Sequence, residues 1–372
     1  MRLISCNALK EGMIIGKTIW NEAGHPLLQK DAKVNARIIQ RLKQLNIQYV
    51  YIDDRLSKNI EVEETVSPAV RHETIQHIRH SFEEVKNIGT KAGSYILDQQ
   101  SKAIGSLIDD LLKTILESEE VVTILTDVYL NDEYLYQHSF QVTLYSLAIA
   151  KEMGYSHEDL RTIGMGAMLH DIGKVLVPSD ILLKDAPLTE EEYTEIKQHT
   201  RYGFDILRNL HSISLLIAHC AFQHHERLDG SGYPRGLLAP EIHPFAKIIA
   251  VADVFDAVTT NRVYRSKMHP AQGIHLIEAD SGIKFDRDVV EALKRSVVHY
   301  PNGTVVVLSA GLRGVVCRQE KLQPARPWVR IFEKDNVVLN ATYEISLAQY
   351  DNIEIIQIDA NYVLKENNGM NL

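Results

Sequence analysis

Cysteine is scarce in this 372-residue chain: Cys6, Cys220 and Cys317 stand far apart, and none lies in a CxxC. That spacing and odd number exclude a disulfide framework or a thiolate zinc site and suit a reducing cytoplasm. No run of about 18 apolar residues occurs, so no membrane-spanning helix is expected. The opening "MRLISCNALKEGMIIGK" lacks the continuous apolar core of a signal peptide. A cytoplasmic location is therefore expected. Basic excess is lacking too: 40 Lys and Arg face 49 Asp and Glu, for a net charge of −9. A polymer of nucleic acid asks for a broad basic face, so it is not expected as a partner. A small anionic ligand needs only a local positive pocket and stays open. There is no internal repeat, no low-complexity segment and no receiver-type phospho-acceptor pattern near the start.

What is present suits a globular protein, 45% hydrophobic and 24% charged, long enough for two or three domains. The first stretch reads as a small α/β module over 1–55. "GMIIGKTIW" and "IQYVYID" are strand-like. Between them "NARIIQRLKQLN" has the helical spacing Ile38, Ile39, Leu42, Leu45. Residues 56–124 read as a polar linker and a helical connector. The apolar stripe Ile104, Leu107, Ile108, Leu111, Leu112, Ile115 lies on that connector. Its helices suit either a homodimer contact or packing on the helical block after residue 125. From 125 to 300 the pattern is almost wholly helical, and Thr189 with Glu192 forms a capping box. Strand-like runs return over 301–372, in "TVVVLS", "RGVVCR", "PWVRIFE" and "YEISLA". The expected fold is mainly α, with a helical bundle between a small α/β module and a small β-rich segment.

Histidine is the unusual total. Of sixteen, eleven fall between His138 and His275. Within the helical block the candidate metal ligands are His138, His170, Asp171, His199, His224, His225 and Asp253. Nitrogen-rich sets of this kind suit first-row transition metals, whereas oxygen-only sets suit magnesium or calcium. Two aspartates neutralise only half the charge of two divalent ions. Such a site stays positive and attracts a phosphodiester. Two ions roughly 3.5–4 Å apart serve in-line displacement and bring the pKa of bound water to about 7. One histidine alone is more often structural, and His157, His211, His219, His243, His269 and His275 are read that way. The set counts for more, because buried unpaired His and Asp are costly. Asp256, three residues after Asp253, suits equally a carboxylate behind a ligand histidine or a helix surface. Glu226 is expected to orient a neighbour. Arg227, Arg235 and Lys267 are read as solvated surface.

"HDIGK", "HHERLDGSGYP" and "ADVFDAVTTNRVYR", in this order and spacing, resemble the HD-GYP domain, a branch of the HD metal-dependent phosphohydrolases. The resemblance covers roughly 125–300 and implies an HD-type helical bundle with two or three metals, usually iron or manganese. It implies hydrolysis of cyclic di-GMP to pGpG or GMP. It carries the ligand roles onto the seven residues above, with Asp171 bridging the metals. Lys174 would contact the scissile phosphate or help protonate the leaving oxygen. Gly232 and Tyr233 carry the GYP turn. Arg262 and Arg265 match basic positions that grip phosphate or guanine. The loop is a candidate dock for diguanylate cyclase (GGDEF) domains. Two departures stand out. The glutamate that helps some members hold a third metal falls at Tyr134, with Glu133 one residue off, a rotation of about 100° on a helix. Two metals are therefore favoured over three. "RPYR" reads "RVYR", with Val263. Two other functions compete: a silent nucleotide- or partner-binding signalling module, and a phosphodiesterase for another cyclic dinucleotide.

Overall fold

The computed structural model describes residues 1–20, 25–45, 47–62, 65–117, 134–260 and 268–364. They fall into two compact units.

One unit joins the two ends of the chain. Its first part runs β1 (Arg2–Ser5), β2 (Ile14–Ile15), β3 (Ile19–Trp20), β4 (Pro26–Leu28), α1 (Ala36–Gln44) and β5 (Tyr49–Asp53). β5 lies between β1 and β2, antiparallel to both, and β3 pairs with β4. Asn35 caps α1 by accepting from Ile38 N, and the helix buries Leu42. The second part is an antiparallel sheet of order β10-β6-β7-β8-β9. Its strands are β6 (Val305–Leu308), β7 (Leu312–Arg318), β8 (Trp328–Lys334), β9 (Val337–Ser346) and β10 (Ile355–Ile358). The two parts share backbone hydrogen bonds, Leu3 N to Gly303 O at 2.9 Å and Ser5 N to Ala360 O at 2.8 Å. Leu56 and Ile60 are buried with Val305, Val315 and Phe332.

The other unit is helical. It comprises α2 (Pro68–Ile88), α3 (Thr90–Glu117), α4 (Tyr134–Glu152), α5 (His157–Leu169) and α6 (Ser179–Leu182). It continues with α7 (Glu190–Lys197), α8 (His199–Leu207), α9 (Leu215–Gln223), α10 (Pro244–Thr259), α11 (Pro270–Ala279) and α12 (Arg287–Ser296). Every residue from Gln137 to Ala150 of α4 is buried, as expected of a helix surrounded by others. α4 packs on α2, α5, α10 and α12. Phe82 and Val85 of α2 and Ile108 and Leu111 of α3 enter the same core as Phe140, Ile163, Ile217 and Phe255. Of the two roles open to the 70–120 helices, packing on the bundle is the one seen. The capping box is formed: Thr189 Oγ1 accepts from Glu192 N at 3.2 Å, and Glu192 accepts from Thr189 N at 2.7 Å.

This packing carries the candidate ligands to one place. His138 lies in the first turns of α4, His170 ends α5 and His199 opens α8. His224 caps the end of α9, and Asp253 sits within α10. A tight 3-10 turn, Ile172–Leu176, follows Asp171. Gly173 has no room for a Cβ, which would collide with the backbone of His199 and Gly203. The "HDIGK" turn is thereby pressed against the start of α8.

Candidate metal centre

Asp171 is fully buried at the middle of the cluster. Its Oδ1 faces Nε2 of His199 at 3.3 Å and Nε2 of His224 at 3.8 Å. Its Oδ2 faces Nε2 of His170 at 3.3 Å and Nε2 of His138 at 3.5 Å. Two ligand groups thus share one carboxylate: Asp171 with His199, His224 and His225, and Asp171 with His138 and His170. Asp253 stands between them, 3.1 Å from His138 Nε2 and 3.7 Å from His225 Nδ1.

The tautomers fit metal binding. Nδ1 of His170, His199 and His224 lies 2.7, 2.6 and 2.9 Å from the carbonyls of Ala167, Ile196 and Ala221. A carbonyl only accepts, so each Nδ1 donates. In the neutral ring that leaves the Nε2 lone pair pointing at Asp171, which also only accepts. His199 Nε2 and His224 Nε2 oppose each other at 3.4 Å in the same way. His170 Nε2 and Asp171 Oδ1 are buried without a hydrogen-bond partner. Lone pairs converging in a buried space are repulsive until a cation sits among them. The residues therefore fit divalent ions.

Charge follows the same logic. Burial brings the pKa of His199 down to about 4. Burial also holds His224 and His225 well below 6.5, so these rings are neutral and available as ligands. Burial opposes the charge of Asp171, but the Lys174 ammonium, 2.5 Å from Oδ2, keeps its pKa well below 3.8. For His138 burial again opposes charge. Hydrogen bonding to Asp253 and Asp256 overcomes it and lifts the pKa to about 9. The carboxylates around this ring call for a positive charge at Nε2, a proton or a metal.

The neighbouring residues hold the ligands in place. Asp256 is fully buried, and its Oδ2 lies 2.7 Å from His138 Nδ1. Of its two readings in sequence, the carboxylate behind a ligand is the one observed. Thr260 Oγ1 donates to its Oδ1 at 2.8 Å. Glu226, 2% exposed, accepts from the backbone N–H groups of Arg235 (2.8 Å) and Leu237 (2.9 Å). It therefore clasps the loop immediately C-terminal to it. Gly232 lies so close to His225, Glu226 and Arg227 that a Cβ would meet their backbone. Tyr233 stacks on His225, with centroids 4.6 Å apart and planes at 28°. Arg227 departs from its reading as solvated surface. It is half-buried, donates to the carbonyls of His224 (3.2 Å) and Glu226 (2.8 Å), and lies over Phe285. Neither its spacing nor its flanking residues carry that signal. Tyr134 lies stacked on His138 at 5.6 Å. Arg262, Val263, Arg265, Lys267 and Glu133 lie outside the described residues.

Fold and site together define a helical domain with a buried cluster of histidine and aspartate that fits metal ions. Residues 125–289 match the HD domain family, and Gly232, Tyr233 and Pro234 form the Gly-Tyr-Pro turn within that match. It is 29% identical over 353 residues to the cyclic di-GMP phosphodiesterase PA4108 of Pseudomonas aeruginosa, covering 89% of this chain and 85% of that protein. It is 36% identical over 244 residues to a cyclic di-GMP phosphodiesterase of Thermotoga maritima, covering 64% of each. It is also 36% identical over 169 residues to the 3'3'-cGAMP-specific phosphodiesterase 3 of Vibrio cholerae, covering 45% of this chain and 36% of that one. Among the described residues no helix is long and apolar enough to cross a membrane.

Proposed function

We propose that this chain hydrolyses the phosphodiester bonds of cyclic di-GMP, giving pGpG and, after a second cut, GMP. The observation that carries this reading is the division of Asp171, whose two oxygens face separate groups of imidazoles. The relatives named as cyclic di-GMP phosphodiesterases support it. His138, His170, Asp171, His199, His224, His225 and Asp253 would hold two divalent ions, with Asp171 shared. Iron or manganese suits this nitrogen-rich set. When bound, such ions would supply Lewis-acid activation of water and phosphate.

The chain's own groups do the rest. Lys174 is anchored on Asp171, and its side chain is 20% exposed, so its ammonium can also meet the scissile phosphate. There it would neutralise charge as a water oxygen bonds to phosphorus, the bond from phosphorus to the ribose oxygen breaks, and the proton given up by water ends on that departing oxygen. Gly232 and Tyr233 shape one wall, and Arg262 and Arg265 would add grips on phosphate or guanine. We carry two partner proposals. A diguanylate cyclase domain would dock on the loop, where Pro234, Arg235 and Gly236 are exposed, and a second copy of the chain would form a homodimer. The scarcity and wide spacing of Cys6, Cys220 and Cys317 accord with a cytoplasmic setting.

A second reading keeps the chemistry and changes the base, because the Vibrio cholerae relative is named as specific for 3'3'-cGAMP. Anaerobically purified protein loaded with Fe(II) or Mn(II) and given cyclic di-GMP, 3'3'-cGAMP and cyclic di-AMP separates the cases. The expected result is metal-dependent release of pGpG or GMP, fastest from cyclic di-GMP. Bound metal without turnover of any of the three would leave a binding module.

A further inference from the structure

Helix α7 is acid-rich, with Glu190, Glu191, Glu192 and Glu195. Lys184 and Lys174 each find a carboxylate, on Glu192 at 2.6 Å and on Asp171 at 2.5 Å. Lys197, in the last turn of α7, does not pair in this way among the described residues. Its ammonium lies 4.3 Å from the ring centroid of Tyr193 and 5.5 Å from that of Tyr233. Tyr233 in turn stacks on His225. A series His225, Tyr233, Lys197, Tyr193 therefore leads from the metal centre to a ring that is 47% exposed. Spacing alone contains the signal: Tyr193 and Lys197 are four apart on one helix face, and Lys197 precedes His199 by two.

A cyclic dinucleotide has two phosphates and two purines, and the metal centre can act on only one phosphate at a time. The other half needs a cation and a flat apolar surface. An ammonium held between two ring faces is favourable without a carboxylate, and so stays available to an anion. An exposed aromatic ring is a stacking platform for a base. We propose that Lys197, with Tyr193 and Tyr233, forms the subsite for the half of the substrate that is not being cut. Lys197 takes the second phosphate and Tyr193 stacks on the neighbouring base. This rests on the phosphodiesterase reading above.

The test is calorimetric binding of the slowly hydrolysed bis-phosphorothioate analogue of cyclic di-GMP to the Mn(II)-loaded full chain. Turnover of cyclic di-GMP is followed alongside. Lys197→Met keeps the apolar stem over the rings and removes the charge, whereas Lys197→Arg keeps the charge. Kd is expected to rise about tenfold in Lys197→Met, the size of one lost charge-assisted contact. Tyr193→Ala weakens binding in the same direction, and Lys197→Arg stays close to wild type. The Lys197→Met effect shrinks as salt is raised. A Lys197→Met protein that binds like wild type overturns the subsite, and so does a wild type that does not bind the analogue. Weaker binding in Lys197→Met together with a wild type that cuts nothing keeps the subsite and removes the hydrolase reading.

Discussion

Asp256 Oδ2 accepts a 2.7 Å hydrogen bond from Nδ1 of His138, across 118 residues of sequence and in a fully buried setting. This bond fixes which nitrogen of His138 faces Asp253 and Asp171. A carboxylate behind a ligand histidine typically contributes about 10–100-fold in metal affinity. Asp256→Asn keeps an acceptor oxygen and should lose the smaller share, and Asp256→Ala the larger. Competition with a fluorescent chelator gives the affinities, and equal affinity in all three proteins would remove Asp256 from the site.

Glu226 satisfies two backbone N–H groups of the loop from inside the protein. Glu226→Ala leaves both without a partner and should cost about 1–3 kcal/mol for each buried group. Glu226→Gln retains one acceptor and should cost less. Arg235 lies exposed on that loop, so trypsin should cut after it faster in Glu226→Ala than in wild type. Unchanged denaturant midpoints and unchanged cleavage would show that the clasp is unimportant.

Gly173 and Gly232 are both pressed onto backbone, of His199 in one case and of His225 to Arg227 in the other. Gly173→Ala or Gly232→Ala should destabilise by about 1–3 kcal/mol through overpacking. The helical substitution Gly93→Ala serves as a comparison, because there the contacts are mainly with the side chain and Cα of Val85. Urea midpoints decide whether the two site glycines stand apart.

Buried acceptor atoms such as His170 Nε2 and Asp171 Oδ1 lack hydrogen-bond partners, so the chain should be more stable with metal than without. At about 100 times Kd the gain is about 2.7 kcal/mol, a rise in Tm of roughly 5–10 °C for a domain of this size. EDTA should reverse it. A Tm that does not respond to Mn(II), Fe(II) or EDTA would contradict metal binding at the cluster.

Much of this was legible in the sequence, and the limits have physical causes. The helical block announced itself through caps such as Thr189 with Glu192, where local hydrogen bonding sets the start. The strands in "TVVVLS" and "RGVVCR" are buried and β-branched, and both form. β9 starts earlier than "YEISLA". The turn at Asp335 and Asn336, with φ of 50° and 63°, folds Val337 and Val338 back onto β8, the geometry of a tight hairpin. β1 and β10 are short and lie at sheet edges, so neither has a long pattern to read. The union of the two chain ends depends on hydrogen bonds such as Leu3 to Gly303, which leave no periodic trace.

At the site, residue type and order pointed to the seven candidate ligands, and the structure brings them together around Asp171. Roles that depend on direction were not readable. Whether Asp256 faces a ligand or solvent is decided by how α4 and α10 pack, and whether Arg227 points outward is decided by the path of the loop. The spacing of Tyr193 and Lys197 is visible in the sequence, but the fold alone sets Tyr233 beside Lys197, from 36 positions along the chain.

The most direct measurement is the number of metal ions bound per chain, by elemental analysis, in wild type and in Asp171→Ala after anaerobic loading with Mn(II). A carboxylate shared by two ligand groups predicts two ions in wild type and the loss of both, or nearly both, in the variant. Two ions retained in Asp171→Ala would contradict the account.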